Sequence, residues 1–154
     1  TGFLSTPNLT RVLCDNGYVA TAYKLLLQDT RPSWLYEVKK GATTIWETWD
    51  GINEKGEVKA SLNHYSYGAI CGWIIDSVCG IQFSDKKVII CPHPDKALGY
   101  ARAEYQSPWG KVVSGWKYDG DEISYEIEIP SNTRAEVVLP DGRRQELGAG
   151  TYSL

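Results

Sequence analysis

The run Thr43-Thr44-Ile45-Trp46-Glu47-Thr48-Trp49-Asp50 sets one carboxylate between two tryptophans, and Gly51 follows directly. An indole offers a flat apolar face with a polar N–H at one edge, an arrangement that suits a sugar. A carboxylate beside it can act as an acid, a base or a hydrogen-bond acceptor. Glu47 is therefore the chemical candidate, with Trp46 and Trp49 as candidate pocket walls and Trp34 a weaker one. Asp50 lies just before Gly51, where Asp ordinarily makes a turn, and is read that way. His64 stands at a helix start, where a histidine can cap, pack or meet a ligand. Cys14, Cys71, Cys79, Cys91 and the two histidines lack the paired spacing of a zinc site, so no metal and no cofactor is expected.

The elements that must position these residues change in kind near residue 80. Before it the apolar spacing is helical. Thr6 is placed to cap a helix with Pro7 at its first position, Leu9, Val12 and Leu13 form its inward stripe, and Asn16-Gly17 ends it. A second helix, Val19 to Gln28, turns Tyr23, Leu26 and Leu27 inward and stops before Arg31-Pro32. A third pattern begins after Asn63, includes Tyr67, Ile70, Cys71, Ile74 and Val78, and ends at Gly80. About thirty residues rich in Trp and turn formers separate the second and third helices, far more than a usual helix connection, and such loops tend to be functional.

After residue 85 the period becomes two. Lys87–Cys91, Ala101–Tyr105, Lys111–Tyr118, Glu122–Ile129, Ala135–Leu139 and Arg144–Leu147 read as short strands between Pro and Gly turns, an antiparallel β region. Ile123, Tyr125, Ile127 and Ile129 alternate with Ser124, Glu126 and Glu128, so one face is buried. The chain accordingly reads as a helical part up to about residue 80 followed by an antiparallel β region.

With 154 residues, 42% hydrophobic and 23% charged, the chain can bury a substantial core. A net charge of −3 without a block of one sign disfavours a nucleic-acid partner. Lys39-Lys40, Lys86-Lys87 and Arg143-Arg144 are too short to make a binding patch. No apolar run approaches the roughly 18 residues of a membrane span. The four cysteines read as buried thiols in a reducing compartment, which favours the cytoplasm. Six Trp and ten Tyr against two Phe favour rings that carry a polar handle.

Beyond these local readings, an ordered series of motifs resembles the bacterial α-L-rhamnosidases, glycoside hydrolase family 78. Thr1-Gly2-Phe3-Leu4-Ser5-Thr6-Pro7, Asp15-Asn16-Gly17-Tyr18, Ala22-Tyr23-Lys24-Leu25-Leu26, Pro32-Ser33-Trp34, Gly41-Ala42-Thr43-Thr44-Ile45-Trp46-Glu47 and Ser61-Leu62-Asn63-His64-Tyr65-Ser66-Tyr67-Gly68 look like the last part of the catalytic barrel in that family. Pro94-Asp95, Leu98-Gly99, Tyr105-Gln106-Ser107-Pro108-Trp109-Gly110, Ile129-Pro130-Ser131-Asn132-Thr133 and Gly148-Ala149-Gly150-Thr151-Tyr152 look like its C-terminal β-sandwich.

The resemblance implies a multidomain α and β chain: the last helices of an (α/α)6 barrel, residues 1–80, followed by an antiparallel, jelly-roll-like β-sandwich, residues 81–154. It implies release of terminal α-L-rhamnose from rhamnosides with inversion, which needs a general acid and a general base about 6.5 to 9.5 Å apart. Glu47 falls on the family's general-base position and His64 on a sugar-contacting one. The acid belongs to a segment upstream of residue 1, so these residues alone are expected to be inactive, and helices lacking their neighbours should self-associate through an exposed apolar face. Two other readings stand beside this one. The sandwich could be a carbohydrate-binding or structural module, with Trp109, Trp116 and Tyr118 as a platform, although Trp116 shares a strand face with Val112, which should be buried. The chain could also serve another (α/α)6 glycosidase.

Overall fold

The computed structural model describes residues 2–84 and 87–154, so Thr1 of the opening motif and Lys86 of the Lys86-Lys87 pair lie outside the described residues. The chain forms two compact units, Thr1–Gly72 and Trp73–Leu154. Helices make up the regular structure of the first and two sheets that of the second.

Helix α1 spans Thr6–Asp15 and α2 spans Val19–Leu27. Ser5, not Thr6, is the N-cap residue of α1; Thr6 is its first helical residue, and its hydroxyl donates to the Gly2 carbonyl at 2.9 Å. The helix ends at Asn16 with Gly17 at φ 81°, as the Asn-Gly pair predicts. Its inward face differs from expectation. Thr6, Thr10 and Cys14, spaced by four, are buried, while Val12 is 54% exposed. Of the expected stripe, Leu9 and Leu13 are half-buried. In α2, Ala22 and Tyr23 are buried, with Leu26 and Leu27 half-buried.

The segment expected to be an unbroken loop contains a short helix, α3, Trp34–Lys39. Ser33 caps it by accepting the Tyr36 N–H at 3.1 Å. A last helical stretch runs from Tyr67 to Val78 as a 3-10 turn (Tyr67–Ala69), the α-helical turn α4 (Ile70–Trp73) and a π-helical turn (Ile74–Val78). Cys14 and Cys79 are buried, Cys91 is half-buried and Cys71 is exposed, so the expectation of four buried thiols holds at two positions. None of the four forms a disulfide among the described residues, and burial pushes the Cys79 thiol up to about 11.

Among the described residues the second unit contains eight strands: β1 (Ile81–Ser84), β2 (Lys87–Ile90), β3 (Tyr100–Ser107), β4 (Gly110–Asp119), β5 (Glu122–Ile129), β6 (Ala135–Val138), β7 (Arg144–Leu147) and β8 (Gly150–Ser153). They form two sheets ordered β1-β2-β6-β7 and β3-β4-β5-β8. Every pairing is antiparallel except β2 with β6, which run parallel with Val88 opposite Ala135 and Ile90 opposite Val137. A parallel pair needs a long crossover, and here the meander β3-β4-β5 supplies it. The predicted alternation in β5 holds: Tyr125, Ile127 and Ile129 are buried and Ser124 and Glu126 exposed. Beside them Val112, Ser114 and Trp116 of β4 are buried, and Ile81, Val88, Ile90, Ala135 and Val137 fill the facing sheet.

Two polar side chains of β4 fasten the chain that leads into β1. The Trp116 indole N–H donates to the Val78 carbonyl at 2.8 Å, and the Ser114 hydroxyl donates to the Cys79 carbonyl at 2.5 Å. Trp116 is 3% exposed and cannot belong to a surface platform. Replacing it by Phe keeps the apolar contact but strands the buried Val78 carbonyl. Trp116→Phe should therefore lower the unfolding free energy by about 1–3 kcal/mol in a denaturant titration; an unchanged midpoint would remove this bond from the account of the sandwich.

Candidate functional site

Residues 43–64 form an ordered, irregular hairpin built from backbone hydrogen bonds. His64 N–H donates to the Ile45 carbonyl at 2.8 Å, Glu47 N–H to Ser61 at 2.9 Å and Lys59 N–H to Gly51 at 3.0 Å, with Ile52 bridged to Val58. The Thr44 hydroxyl also donates to the Leu62 carbonyl. At the tip, the Asn53 side-chain oxygen accepts the N–H groups of Lys55 and Glu57, both at 2.9 Å, an Asx-type reversal. Two segments read separately from sequence, the Trp-Glu and Asn-His-Tyr motifs, are thereby zipped together.

Glu47 projects from one arm of this hairpin, half-buried. Its Oε2 accepts the Ser61 N–H at 3.1 Å, and Oε1 makes no hydrogen bond among the described residues. One oxygen is therefore oriented and the other is left for chemistry. His64, in the other arm, stacks against Phe3 at 5.0 Å and 24° and against Tyr65 at 5.0 Å and 21°. Its Nδ1 accepts the Ser66 N–H at 3.3 Å, which in the neutral ring puts the proton on Nε2 and makes that nitrogen the donor.

The two tryptophans separate. Trp49 is half-buried, lies parallel to Tyr67 at 3.8 Å and 13°, and meets Trp34 edge-on at 5.2 Å. The Trp34 indole N–H donates to the Tyr67 carbonyl at 2.9 Å. A small cavity of about 170 Å³ lined by Trp34, Trp49, Gln28 and Pro32 adjoins this cluster, and neither Glu47 nor His64 lines it. Trp46, by contrast, is 1% exposed and is a core residue, so the expectation that it walls a pocket is corrected. Gly51 explains how: a Cβ there would stand 3.1 Å from Trp46 Cβ and 3.2 Å from Leu62 Cδ2, so the bare backbone closes over the indole.

Two nearby carboxyls, Asp50 and Glu37, are committed. Asp50 Oδ2 pairs with Arg31 at 3.3 Å and Lys59 at 3.2 Å, tying the hairpin to the end of the α2–α3 connection. Glu37, on α3, accepts the Trp46 N–H at 3.1 Å and is 1% exposed. Burial raises its pKa, which is a property of catalytic acids, yet a carboxyl without accessible surface cannot reach a leaving group. Sequence reasoning missed Glu37, Ser61 and Tyr67. Ser33 ahead of Trp34 was the available sign of the helix that places Glu37, whereas the pairing partners of Glu47 and Trp49 depend on the hairpin register, which no local pattern reveals.

No group of three or more His, Cys, Asp or Glu residues suited to a metal occurs among the described residues. A cleft of about 510 Å³ on the second unit is lined by Trp109, Arg134, Arg144, Glu136 and Glu146 among others; it holds Trp109 of the alternative platform but not Trp116, Tyr118, Glu47, His64, Trp46 or Trp49. No described helix is long and apolar enough to cross a membrane.

A family model described as the bacterial alpha-L-rhamnosidase 6 hairpin glycosidase domain matches residues 1–78, and one described as the bacterial alpha-L-rhamnosidase C-terminal domain matches residues 84–153. A curated alpha-L-rhamnosidase of Formosa agariphila is 39% identical over 154 residues, 96% of this chain and 17% of that protein. Among solved structures, a Streptomyces avermitilis alpha-L-rhamnosidase complexed with L-rhamnose superposes with a TM-score of 0.90 at 35% identity, covering 99% of this chain and 17% of that one. The native Aspergillus terreus enzyme superposes with a TM-score of 0.93 at 32% identity, covering 100% and 19%. The chain thus spans less than a fifth of the length of each of these relatives.

Proposed function

Since the chain belongs to the bacterial α-L-rhamnosidase family, we propose that it is the C-terminal part of an inverting glycoside hydrolase that releases terminal α-L-rhamnose, and that Glu47 is its general base. Residues 1–80 supply the end of the (α/α)6 barrel and residues 81–154 the β-sandwich. The observation that carries the reading is the state of Glu47. A base for an inverting displacement must hold a water on the side of the sugar opposite the leaving group, so it needs one oxygen fixed in direction and one free to take a proton. Glu47 has this division, with Oε2 on the Ser61 N–H and Oε1 unoccupied. His64 Nε2 is oriented to donate to a sugar hydroxyl, and Trp49, supported by Tyr67 and Trp34, offers an indole to the apolar face of the ring.

The acid is to be sought outside these residues. Asp50 Oδ2 is engaged by Arg31 and Lys59 and Glu37 is enclosed, so neither presents a free carboxyl to a glycosidic oxygen. Leu4, Val12, Tyr18, Val38 and Tyr65 are exposed on the first unit, between 54% and 92%, as expected of helices whose packing partners lie elsewhere in a barrel. Half an acid–base pair should not turn over. The purified 154 residues are expected to release no detectable p-nitrophenol from p-nitrophenyl α-L-rhamnoside, and to self-associate through that apolar surface. Turnover by these residues that Glu47→Gln removes would sink the claim that the acid lies elsewhere.

A further inference from the structure

We propose that Glu37 is the positioning residue of the hairpin that carries Glu47, and that it holds the hairpin from behind as an uncharged carboxyl group; the inference rests on the reading of Glu47 as the base. Along an extended chain, successive peptide groups point to opposite sides. The Ile45 carbonyl and the Glu47 N–H face the returning arm and are bonded there to His64 and Ser61, at 2.8 and 2.9 Å. The Trp46 N–H between them must face the other way. Trp46 is 1% exposed, so no bulk water reaches that donor and the protein has to supply an acceptor. Glu37 Oε2 does so at 3.1 Å.

With the His64 bond to the Ile45 carbonyl on the other side, this bond fixes the Ile45–Trp46 peptide from both edges, one peptide ahead of the point where the Glu47 side chain leaves the backbone. The α3 helix holds the acceptor in turn: Ser33 caps its start, and the Glu37 carbonyl accepts the Ala42 N–H at 3.0 Å. Glu37 is itself 1% exposed, its Oε1 is buried without a partner, and among the described residues no Lys or Arg pairs with it. One neutral N–H is poor compensation for a buried negative charge, so the acid form costs less. Burial raises the Glu37 pKa from the ordinary 4.5. The titratable group facing it is Tyr67, whose ionisation is pushed up by its own burial and then by charge on Glu37.

The acceptor and the charge can be tested apart in the full-length α-L-rhamnosidase that carries this segment. Glu37→Gln keeps a carbonyl oxygen for the Trp46 N–H and removes any charge; Glu37→Met has a similar length and no acceptor of comparable strength. Glu37→Gln should retain kcat within about threefold, whereas Glu37→Met should lose roughly tenfold or more in kcat with KM nearly unchanged, the mark of a displaced reacting group. Equal kcat in both variants, whether both high or both low, would overturn the proposal. Thermal unfolding supplies a second readout should Glu37→Met fail to fold. A carboxyl whose folded pKa is raised favours the native state only while protonated, so wild type should lose stability relative to Glu37→Gln as pH rises above the ordinary 4.5. A difference that runs the other way between pH 5 and pH 8 would show Glu37 to be carried as a carboxylate and would also overturn it. An active Glu47→Gln enzyme, by contrast, would remove the base reading and leave the unfolding comparison intact, so the two failures are distinguishable.

Discussion

Glu47→Gln in the full-length enzyme should lower kcat for an aryl α-L-rhamnoside by on the order of 10²–10⁴-fold, the contribution of a well-placed general base, with little change in KM. The substitution is nearly isosteric. An amide oxygen can still accept the Ser61 N–H that Glu47 Oε2 accepts at 3.1 Å, and the hairpin bonds from Glu47 to Ser61 and from His64 to Ile45 run through backbone atoms that are unchanged. What is lost is the capacity of Oε1 to take a proton from water. Proton NMR of the wild-type reaction should show the β-anomer of L-rhamnose first, as inversion requires, before mutarotation mixes the forms. Two results would defeat the assignment: a variant within about threefold of wild type in kcat, or α-L-rhamnose as the first product.

The largest effect on stability is expected outside that site, at Gly80, the last residue before β1. Its φ is +77°, and a Cβ built on it would lie 2.2 Å from Pro92 N and 2.3 Å from the Cys91 carbonyl carbon. Both are backbone atoms, so no side chain can swing aside. The Gly80 carbonyl also accepts the Cys91 N–H at 2.9 Å, next to the buried Val78 and Cys79 carbonyls that Trp116 and Ser114 hold. Gly80→Ala must then either spread two chains packed in the sandwich or adopt another backbone shape. A cost above about 4 kcal/mol is expected, at the extreme of single substitutions and comparable with the whole stability of a marginal domain. Urea unfolding of the chain measures it, and a loss below about 1 kcal/mol would mean that the approach of Gly80 to Cys91 and Pro92 is relieved in solution.

The β half was the more legible part of this sequence, because period-two runs such as Ile123 to Ile129 are carried by large apolar residues whose partners lie on adjacent strands. The missed strands are β1, which follows closely on the helical stretch ending at Val78, and β8, which opens on a glycine, so neither stands out as a separate run. The parallel registration of β2 with β6 could not be read, because strand order is fixed by packing between distant segments. In the helical half, of the stripe assigned to Leu9, Val12 and Leu13 the two leucines are half-buried and Val12 is exposed, whereas the fully buried positions are Thr6, Thr10 and Cys14, two of them polar types that apolar spacing does not pick out. At the site, Glu47 and His64 were visible as chemistry-bearing types in recognisable motifs. Trp46 was misplaced because an indole beside a carboxylate looks the same in sequence whether it faces solvent or core. Glu37 gave no signal, since only the direction of the Trp46 N–H explains why a carboxyl is buried there.

The parallel β2–β6 pair also bears on how the molecule reaches its native state. Val88 and Ala135 stand opposite each other but are separated by the whole of β3, β4 and β5. Closing so long a stretch carries a large entropic penalty unless the intervening chain is already compact. The β3-β4-β5 meander joins neighbours through short turns and can form from local contacts alone, so it should collapse early and bring β6 to β2 as a late event. Until that moment Val88 and Ile90 lack their partner on one side, and the edge of β2 stands open to another copy of the chain. Failure during refolding should thus begin at the β2 edge, by strand exchange between molecules, well before any weakness of the native sandwich is felt.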